Sequence, residues 1–98
     1  MKSPITRQQF VALCVLSRKG KTSADVRLQM FNAGMPTNYR CTNASKILSD
    51  LKSMGLVSGT DEKPKLFTIT GYGEKAREKY LNMLKAFHDK AREVIDAQ

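Results

Sequence analysis

The chain has 98 residues, of which 41% are hydrophobic and 27% charged, and its formal net charge is +8 at pH 7. This length suits one domain, and the composition is that of a folded chain rather than a disordered one. No apolar run approaches the roughly 18 residues that a membrane-spanning helix needs, and the N-terminus lacks the apolar core of a secretory signal. We therefore expect a cytoplasmic protein with no membrane partner, in which Cys14 and Cys41 stay reduced.

The positive charge is concentrated in the first part of the chain. Residues 1 to 60 contain nine basic and two acidic residues, a net +7, whereas residues 61 to 98 contain eight basic and seven acidic residues, a net +1. A cationic region of this kind favours a polyanionic partner, either nucleic acid or an anionic membrane surface, although it can also serve solubility alone.

Two short helices are predicted first. Thr6 and Gln9 form a capping box for the first helix, which should end near Gly20. The second helix should begin at Thr22 or Ser23 and end at Gly34 and Pro36. The predicted buried residues are Phe10, Leu13, Cys14 and Ser17 in the first helix and Ala24, Leu28 and Phe31 in the second.

A third helix, which Thr42 can cap, runs to Gly55 and has one apolar face. The predicted buried residues are Ala44, Ile47, Leu48 and Leu51. A helix–turn–helix of this size is a common DNA-binding unit, but it is also a common way to pack three helices. Leu56 and Val57 then begin a strand, "GTDEKP" forms a hairpin loop, "KLFTIT" is the return strand, and "TGYGEKARE" opens a long helix. This order of elements is that of a winged helix.

The segment "LSDLKSMGLVSGTDEKPKLFTITGYGEKARE" resembles the MarR/PadR-type winged-helix transcription regulators over about residues 41 to 78. The matching residues are Leu51, Gly55, Leu56, Val57, Thr70 and Gly73. The resemblance implies a mainly α fold with a small β-hairpin, namely a winged helix-turn-helix with a long C-terminal dimerisation helix. Residues 1–72 are expected to form the DNA-binding domain, and residues 73–98 the dimerisation helix of the same compact unit.

By the layout of this family, the third helix is the recognition helix that enters the major groove of DNA. The positions nearest the base edges are Thr42, Asn43, Ser45, Lys46 and Ser49. Asn43 can pair with adenine, and Lys46 can pair with guanine. The residues expected to contact phosphates are Tyr39, Arg40 and Lys52, and the basic residues of the hairpin loop are Lys63 and Lys65.

The last helix, predicted from Gly73 to Ala97, is about 37 Å long at 1.5 Å per residue. One row of residues recurs at spacings of four, three, four and three, which predicts a coiled-coil seam of about two heptads. That row is Tyr80, Leu84, Phe87, Ala91 and Val94, and a second row beside it is Leu81, His88 and Ile95. The second half of this helix extends too far to pack on its own domain, so we expect a homodimer interface that includes His88.

Catalysis is not expected, because the sequence has no Gly-rich phosphate loop, nucleophile elbow or zinc motif. Asp61 and Glu62 read as turn residues, and no cofactor is expected. The sequence therefore predicts a homodimeric, nucleoid-associated transcriptional regulator that binds specific sites on double-stranded DNA. Two alternatives stay open: a winged helix that serves as a protein-interaction module in a larger assembly, and an accessory protein of DNA replication or partition.

Overall fold

The computed structural model describes residues 5–32, 43–61 and 63–98. These residues form a mainly helical fold with one two-stranded antiparallel hairpin and a long last helix, which confirms the predicted fold class. The elements in chain order are α1 (Arg7–Val15), α2 (Ser23–Asn32), α3 (Ala44–Ser53), β1 (Val57–Gly59), β2 (Phe67–Ile69) and α4 (Gly71–Asp96).

Helix α1 begins where the sequence predicts and ends earlier. The Gln9 amide donates to Thr6 Oγ1 at 3.1 Å and the Thr6 amide donates to Gln9 Oε1 at 2.9 Å, which confirms the capping box. The helix stops at Val15 rather than near Gly20, since Leu16 adopts an extended backbone and is buried.

The predicted buried stripe of α1 is partly wrong. Ala12 and Leu13 are fully buried, whereas Cys14 is exposed and is not a core residue. Phe10 is only half-buried, and Ser17 is exposed. The apolar residues of α1 run almost continuously along its second half, so their spacing does not select one face. Packing against α2 and α3 determines which of these residues are buried.

Helix α2 begins at Ser23, as predicted, but it buries a different face. Val26 and Met30 are buried, while Leu28 and Phe31 are 50% and 52% exposed and Ala24 is exposed. The predicted face is wrong because apolar residues lie on both sides of this helix. Its predicted end at Gly34 and Pro36 lies outside the described residues.

Helix α3 buries the four residues that its apolar spacing predicts. Leu48 and Leu51 are fully buried, and Ala44 and Ile47 are at most 9% exposed. Burial of each leucine stabilises the fold by on the order of 2 kcal/mol. Their core partners include Leu13, Leu16, Val26, Met30, Val57 and Ile69.

The end of α3 directs the chain into the hairpin. Gly55 has φ +78°, and its amide donates to the Lys52 carbonyl, while the Leu56 amide donates to the Leu51 carbonyl, both at 3.0 Å. This is a Schellman ending, in which a left-handed residue closes the last carbonyls of a helix. The first strand consequently starts at Val57, one residue after the predicted start.

The hairpin is attached to the segment between α1 and α2. Val57 pairs with Ile69, and Gly59 pairs with Phe67, in an antiparallel register. Lys21 forms a further antiparallel bridge with Phe67, through backbone hydrogen bonds of 2.8 and 3.0 Å. At Phe67, strand β2 is therefore hydrogen-bonded on both edges, to β1 on one side and to Lys21 on the other.

Helix α4 starts at Gly71, two residues before the predicted start, and packs its first turns on α1. Its N-cap is Thr70, whose Oγ1 accepts from the Gly73 amide at 3.1 Å and donates to the Gly55 carbonyl at 2.8 Å. Three contacts then join α4 to α1 and the loop after it. These contacts are Arg18 Nε to Glu74 Oε1 at 2.6 Å, Arg77 Nη1 to the Leu13 carbonyl at 3.3 Å, and the Phe10 and Tyr80 rings with centroids 4.5 Å apart.

Candidate nucleic-acid interface

The outer face of α3 carries small hydroxyl side chains and one lysine. Ser45, Lys46 and Ser49 are exposed on the sides away from the buried leucines. The Ser53 hydroxyl donates to the Ser49 carbonyl at 3.1 Å, so this side chain lies along the helix surface. A face with such small side chains would allow α3 to approach the floor of the DNA major groove, which is about 12 Å wide.

A hydroxyl-lined groove of about 250 Å³ lies beside this face. It is bounded by the start of α2, one flank of α3 and the hairpin, and we call it the α2–hairpin groove. Its lining residues are Ser23, Ser45, Ser49, Lys52, Thr60, Lys65 and Phe67. Four of these were predicted as binding residues, whereas Ser23 and Thr60 were not. Only the packing of α2 and the hairpin against α3 brings those two to the same place.

A second groove, of about 260 Å³, lies on the opposite flank of α3, between α3 and the start of α1. Its lining residues are Thr6, Gln8, Gln9, Asn43, Lys46, Ile47 and Asp50. The sequence prediction included Asn43 and Lys46 but missed Gln8 and Asp50. Asp50 places an exposed carboxylate next to an otherwise basic or neutral face.

Asn43 has a structural task that the sequence prediction gave to Thr42. It is the N-cap of α3, and its Oδ1 accepts a hydrogen bond from the Lys46 amide at 3.0 Å. Bidentate pairing with adenine needs both the acceptor and the donor of an asparagine side chain. While Asn43 Oδ1 accepts the capping hydrogen bond, the side chain offers a base mainly its two N–H donors.

The other predicted DNA-binding residues fall into two groups. Tyr39, Arg40 and Thr42 lie outside the described residues. Lys63 is exposed in the hairpin loop, but it does not line the groove that contains Lys65.

Some of the positive charge of the first part of the chain is used inside the fold. Arg18 pairs with Glu74, and the Lys21 ammonium donates to the Gln29 side chain at 2.8 Å and to the Val15 carbonyl. By contrast, three exposed cations before residue 61 make no ion pair with any residue that the structure describes. They are Arg7, Lys19 and Lys46.

Solved structures of transcription regulators share this arrangement over almost the whole chain. RosR in the hsRosR-S1 complex is 22% identical with a TM-score of 0.64, and the match covers 95% of this chain and 89% of that chain. RosR of H. salinarum, in crystals grown from NaBr, is 16% identical with a TM-score of 0.66, covering 95% of this chain and 92% of that chain. The multiple antibiotic-resistance repressor MarR of Listeria monocytogenes is 20% identical with a TM-score of 0.59, covering 95% and 68% respectively. No protein-family model and no curated protein sequence matches the chain.

The chain is a winged helix. Its order of three helices, an antiparallel hairpin and a long last helix is the order that these regulators share. In this fold α3 occupies the position that is named the recognition helix, and the hairpin β1–β2, with its loop, is named the wing. The α2–hairpin groove therefore lies between α3 and the wing.

The predicted seam of α4 is largely open to solvent in the single chain. Beyond Tyr80 every residue of α4 is exposed except Ala91, which is half-buried. Phe87 is 74% exposed, and the other large apolar residues of the two rows are Leu81 at 48%, Leu84 at 40%, Val94 at 52% and Ile95 at 59%. His88 is also exposed. Tyr80, by contrast, packs against Phe10 of its own chain.

The remaining chemically notable side chain is Cys14. Partial burial raises the pKa of its thiol, and the nearby Arg77 guanidinium opposes this shift only in part. At neutral pH the thiol is therefore protonated, which lowers its nucleophilicity. Among the described residues no group of side chains could hold a metal ion. No helix in the same part of the chain has an apolar stretch long enough to cross a membrane.

Proposed function

We propose that this winged helix binds specific sites on duplex DNA as a homodimer and regulates transcription. The observation that carries the proposal is the division of α3 into two unlike faces. The apolar residues that hold it in the core are all buried, whereas its exposed residues are all polar: Ser45, Lys46, Ser49, Asp50, Lys52 and Ser53. The structural likeness to the regulators RosR and MarR supports the same reading.

In this proposal the outer face of α3 reads bases and its surroundings hold phosphates. Lys46 lies near the centre of the outer face, where its ammonium can donate to the O6 and N7 acceptors of guanine. Ser45 and Ser49 flank it and can contact either bases or phosphates. Lys52 and Lys65 contact the backbone, which positions the protein without reading sequence.

The dimer is proposed from the second half of α4. Its exposed apolar residues recur on one side of a helix that extends beyond the contacts with α1. A second copy of the same helix supplies the matching row that such a seam needs. Residues 73–98 then serve dimerisation, and residues 1–72 serve DNA binding.

Fluorescence anisotropy of a labelled random duplex, measured at increasing KCl, tests the DNA-binding part. We expect micromolar or tighter binding at low salt. If each subunit neutralises about four phosphates, log K should fall against log salt with a slope of roughly −7 per dimer. The double variant Lys46→Ala/Lys52→Ala should bind less tightly and give a shallower slope.

Lys85→Ala is the matched control, because Lys85 is exposed on α4 and distant in sequence from α3 and the wing. It should leave both the affinity and the slope nearly unchanged. A slope near zero for the intact protein, or no binding at low salt, would remove the DNA-binding proposal and favour a protein-interaction module.

A further inference from the structure

We propose that the α2–hairpin groove holds one phosphate group of the DNA backbone, and that Asp61 serves as an internal counterion for this site in the free protein. The inference rests on the proposed DNA-binding function and deepens it. It assigns roles to Ser23 at the start of α2 and to Thr60 and Asp61, which are neighbours in the hairpin loop.

The groove is lined by donors and has no carboxylate in its wall. Four hydroxyl groups and two ammonium groups line it, beside the largely buried ring of Phe67. The non-bridging oxygens of a phosphodiester accept hydrogen bonds and carry negative charge, so they match this set of donors. The volume of about 250 Å³ is several times the roughly 30 Å³ of one water molecule. A phosphate group fits together with some of its water.

Thr60 is held so that its hydroxyl proton is available. Its amide donates to the Leu66 carbonyl, and its Oγ1 accepts from the Leu66 amide, both at 3.0 Å. These two bonds fix the residue at the end of the wing strands. A hydroxyl that already accepts one hydrogen bond still has its own proton to donate. The Thr60 side chain can therefore donate to an oxyanion in the groove.

Lys52 has a weak partner that a phosphate can replace. Its Nζ lies 3.9 Å from Oδ1 of Asp61 on the wing loop, and the side chains are 47% and 101% exposed. Exposed pairs of this kind are weak and exchange readily. The ammonium can thus turn from Asp61 to a phosphate without moving the backbone.

The position of the groove on α3 favours a backbone phosphate over a base. Ser45 and Lys52 lie on one flank of the helix, between its buried face and the outer face that contains Ser49 and Lys46. When the outer face points to the floor of the major groove, a flank faces one of its walls. The walls of that groove are the phosphate backbones.

Single uncharged methylphosphonates, placed one at a time in a DNA site selected from a random library, test the phosphate contact. Binding is measured in chloride buffer free of phosphate and sulfate. We expect one position per half-site at which the intact protein loses affinity roughly tenfold. Lys65→Ala should lower affinity for unmodified DNA by a similar factor. On DNA that carries the methylphosphonate at this position, Lys65→Ala should cause little further loss of affinity, because both changes remove the same contact.

Ser23→Ala is a milder second variant, and Lys63→Ala is the matched control for charge, since Lys63 is on the wing loop but outside the groove. On DNA with a methylphosphonate at the sensitive position, the loss of affinity caused by Ser23→Ala should also disappear. The loss caused by Lys63→Ala should persist on the same DNA. If the intact protein binds DNA but no phosphate is coupled to Lys65 or Ser23, the site is wrong and the proposed function stands. If the intact protein does not bind unmodified DNA, the proposed function itself fails.

Asp61→Asn tests the counterion. It should raise affinity for any duplex about two- to threefold, and the gain should vanish in a Lys52→Ala background. Asp89→Asn on α4 removes the same charge far along the chain and should have a smaller effect. An equal gain from Asp61→Asn with and without Lys52 would overturn the counterion assignment.

Discussion

Asn43 has a structural role in the fold and lies on the proposed DNA-binding surface. Its Oδ1 closes the first turn of α3, so a loss of function after substitution can report either a weaker helix or a lost base contact. Asn43→Ala should lower the free energy of unfolding by about 1 kcal/mol, because the cap is lost. Asn43→Ser keeps a capping oxygen and should melt close to the original temperature. Thermal melts followed by circular dichroism distinguish the two variants, and equal melting temperatures would contradict the capping role.

Lys46 and Lys52 differ in their place on α3, so they should differ in what they do for DNA recognition. Lys46→Ala should cost on the order of 1–3 kcal/mol on the preferred site and relax specificity there, because it removes a base contact. Lys52→Ala should weaken binding to all sequences alike, because it removes a phosphate contact. Competition assays with the selected site and with random duplex measure both effects. If the two variants show the same ratio of specific to random binding, the orientation of α3 is wrong.

At the scale of elements, packing at the junction between the wing and α4 explains Thr70 and Gly73, two of the residues that match the MarR/PadR-type pattern. A Cβ at Gly73 would collide with the Leu56 carbonyl oxygen and lie 2.8 Å from Ile69 Cγ1. Gly73→Ala should therefore destabilise the protein by about 1–3 kcal/mol and lower its Tm by roughly 5–15 °C. At Gly71 the nearest atom to such a Cβ is Arg18 Nη2 at 4.0 Å, so Gly71→Ala should melt at the same temperature or slightly higher. Differential scanning calorimetry of the pair decides whether close packing or helix propensity dominates at this turn.

The elements also differ in how far the sequence could predict them. For α3 the apolar residues occupy one face, so spacing alone gave the buried residues correctly. In α1 and α2 apolar residues lie on several sides, and the choice of Leu13 over Cys14, or of Val26 over Leu28, is made by neighbouring helices. The grooves beside α3 depend on how distant segments pack, such as those that carry Ser23 and Thr60, and no local pattern records this packing.

For the whole molecule, most of the proposed dimer interface can be removed without removing the contacts that hold the start of α4 on the winged helix. A chain cut after Asn82 loses most of the seam but keeps the contacts of Glu74, Arg77 and Tyr80 with α1 and the loop after it. It should therefore be a folded monomer, and its affinity for a two-fold site should fall by orders of magnitude, because the second half-site contact is no longer intramolecular. Phe87→Asp should also abolish the dimer, because it places a charge in the centre of the seam.

Light scattering of the intact chain and of both variants, at tens of micromolar, gives the oligomeric state. DNA binding should be compared on an inverted repeat whose half-sites are about 34–36 Å apart, the spacing read by dimers of this kind. A monomeric intact chain, or a dimeric Phe87→Asp variant, would contradict the proposed role of α4.

The hydrogen bonds and ring contact that join α4 to α1 and the loop after it come from Glu74, Arg77 and Tyr80. The exposed remainder of the helix therefore sets both the distance and the rotation between the winged helix and the seam. Each residue of a helix turns the chain by about 100° and advances it by about 1.5 Å. One alanine inserted after Asn82 would leave the seam from Leu84 onward intact but rotate each winged helix away from its half-site. We expect such a protein to dimerise normally and yet bind the natural site no better than the monomer. Seven inserted residues make nearly two full turns, so they should restore the facing of the two recognition helices and move the preferred half-site spacing instead.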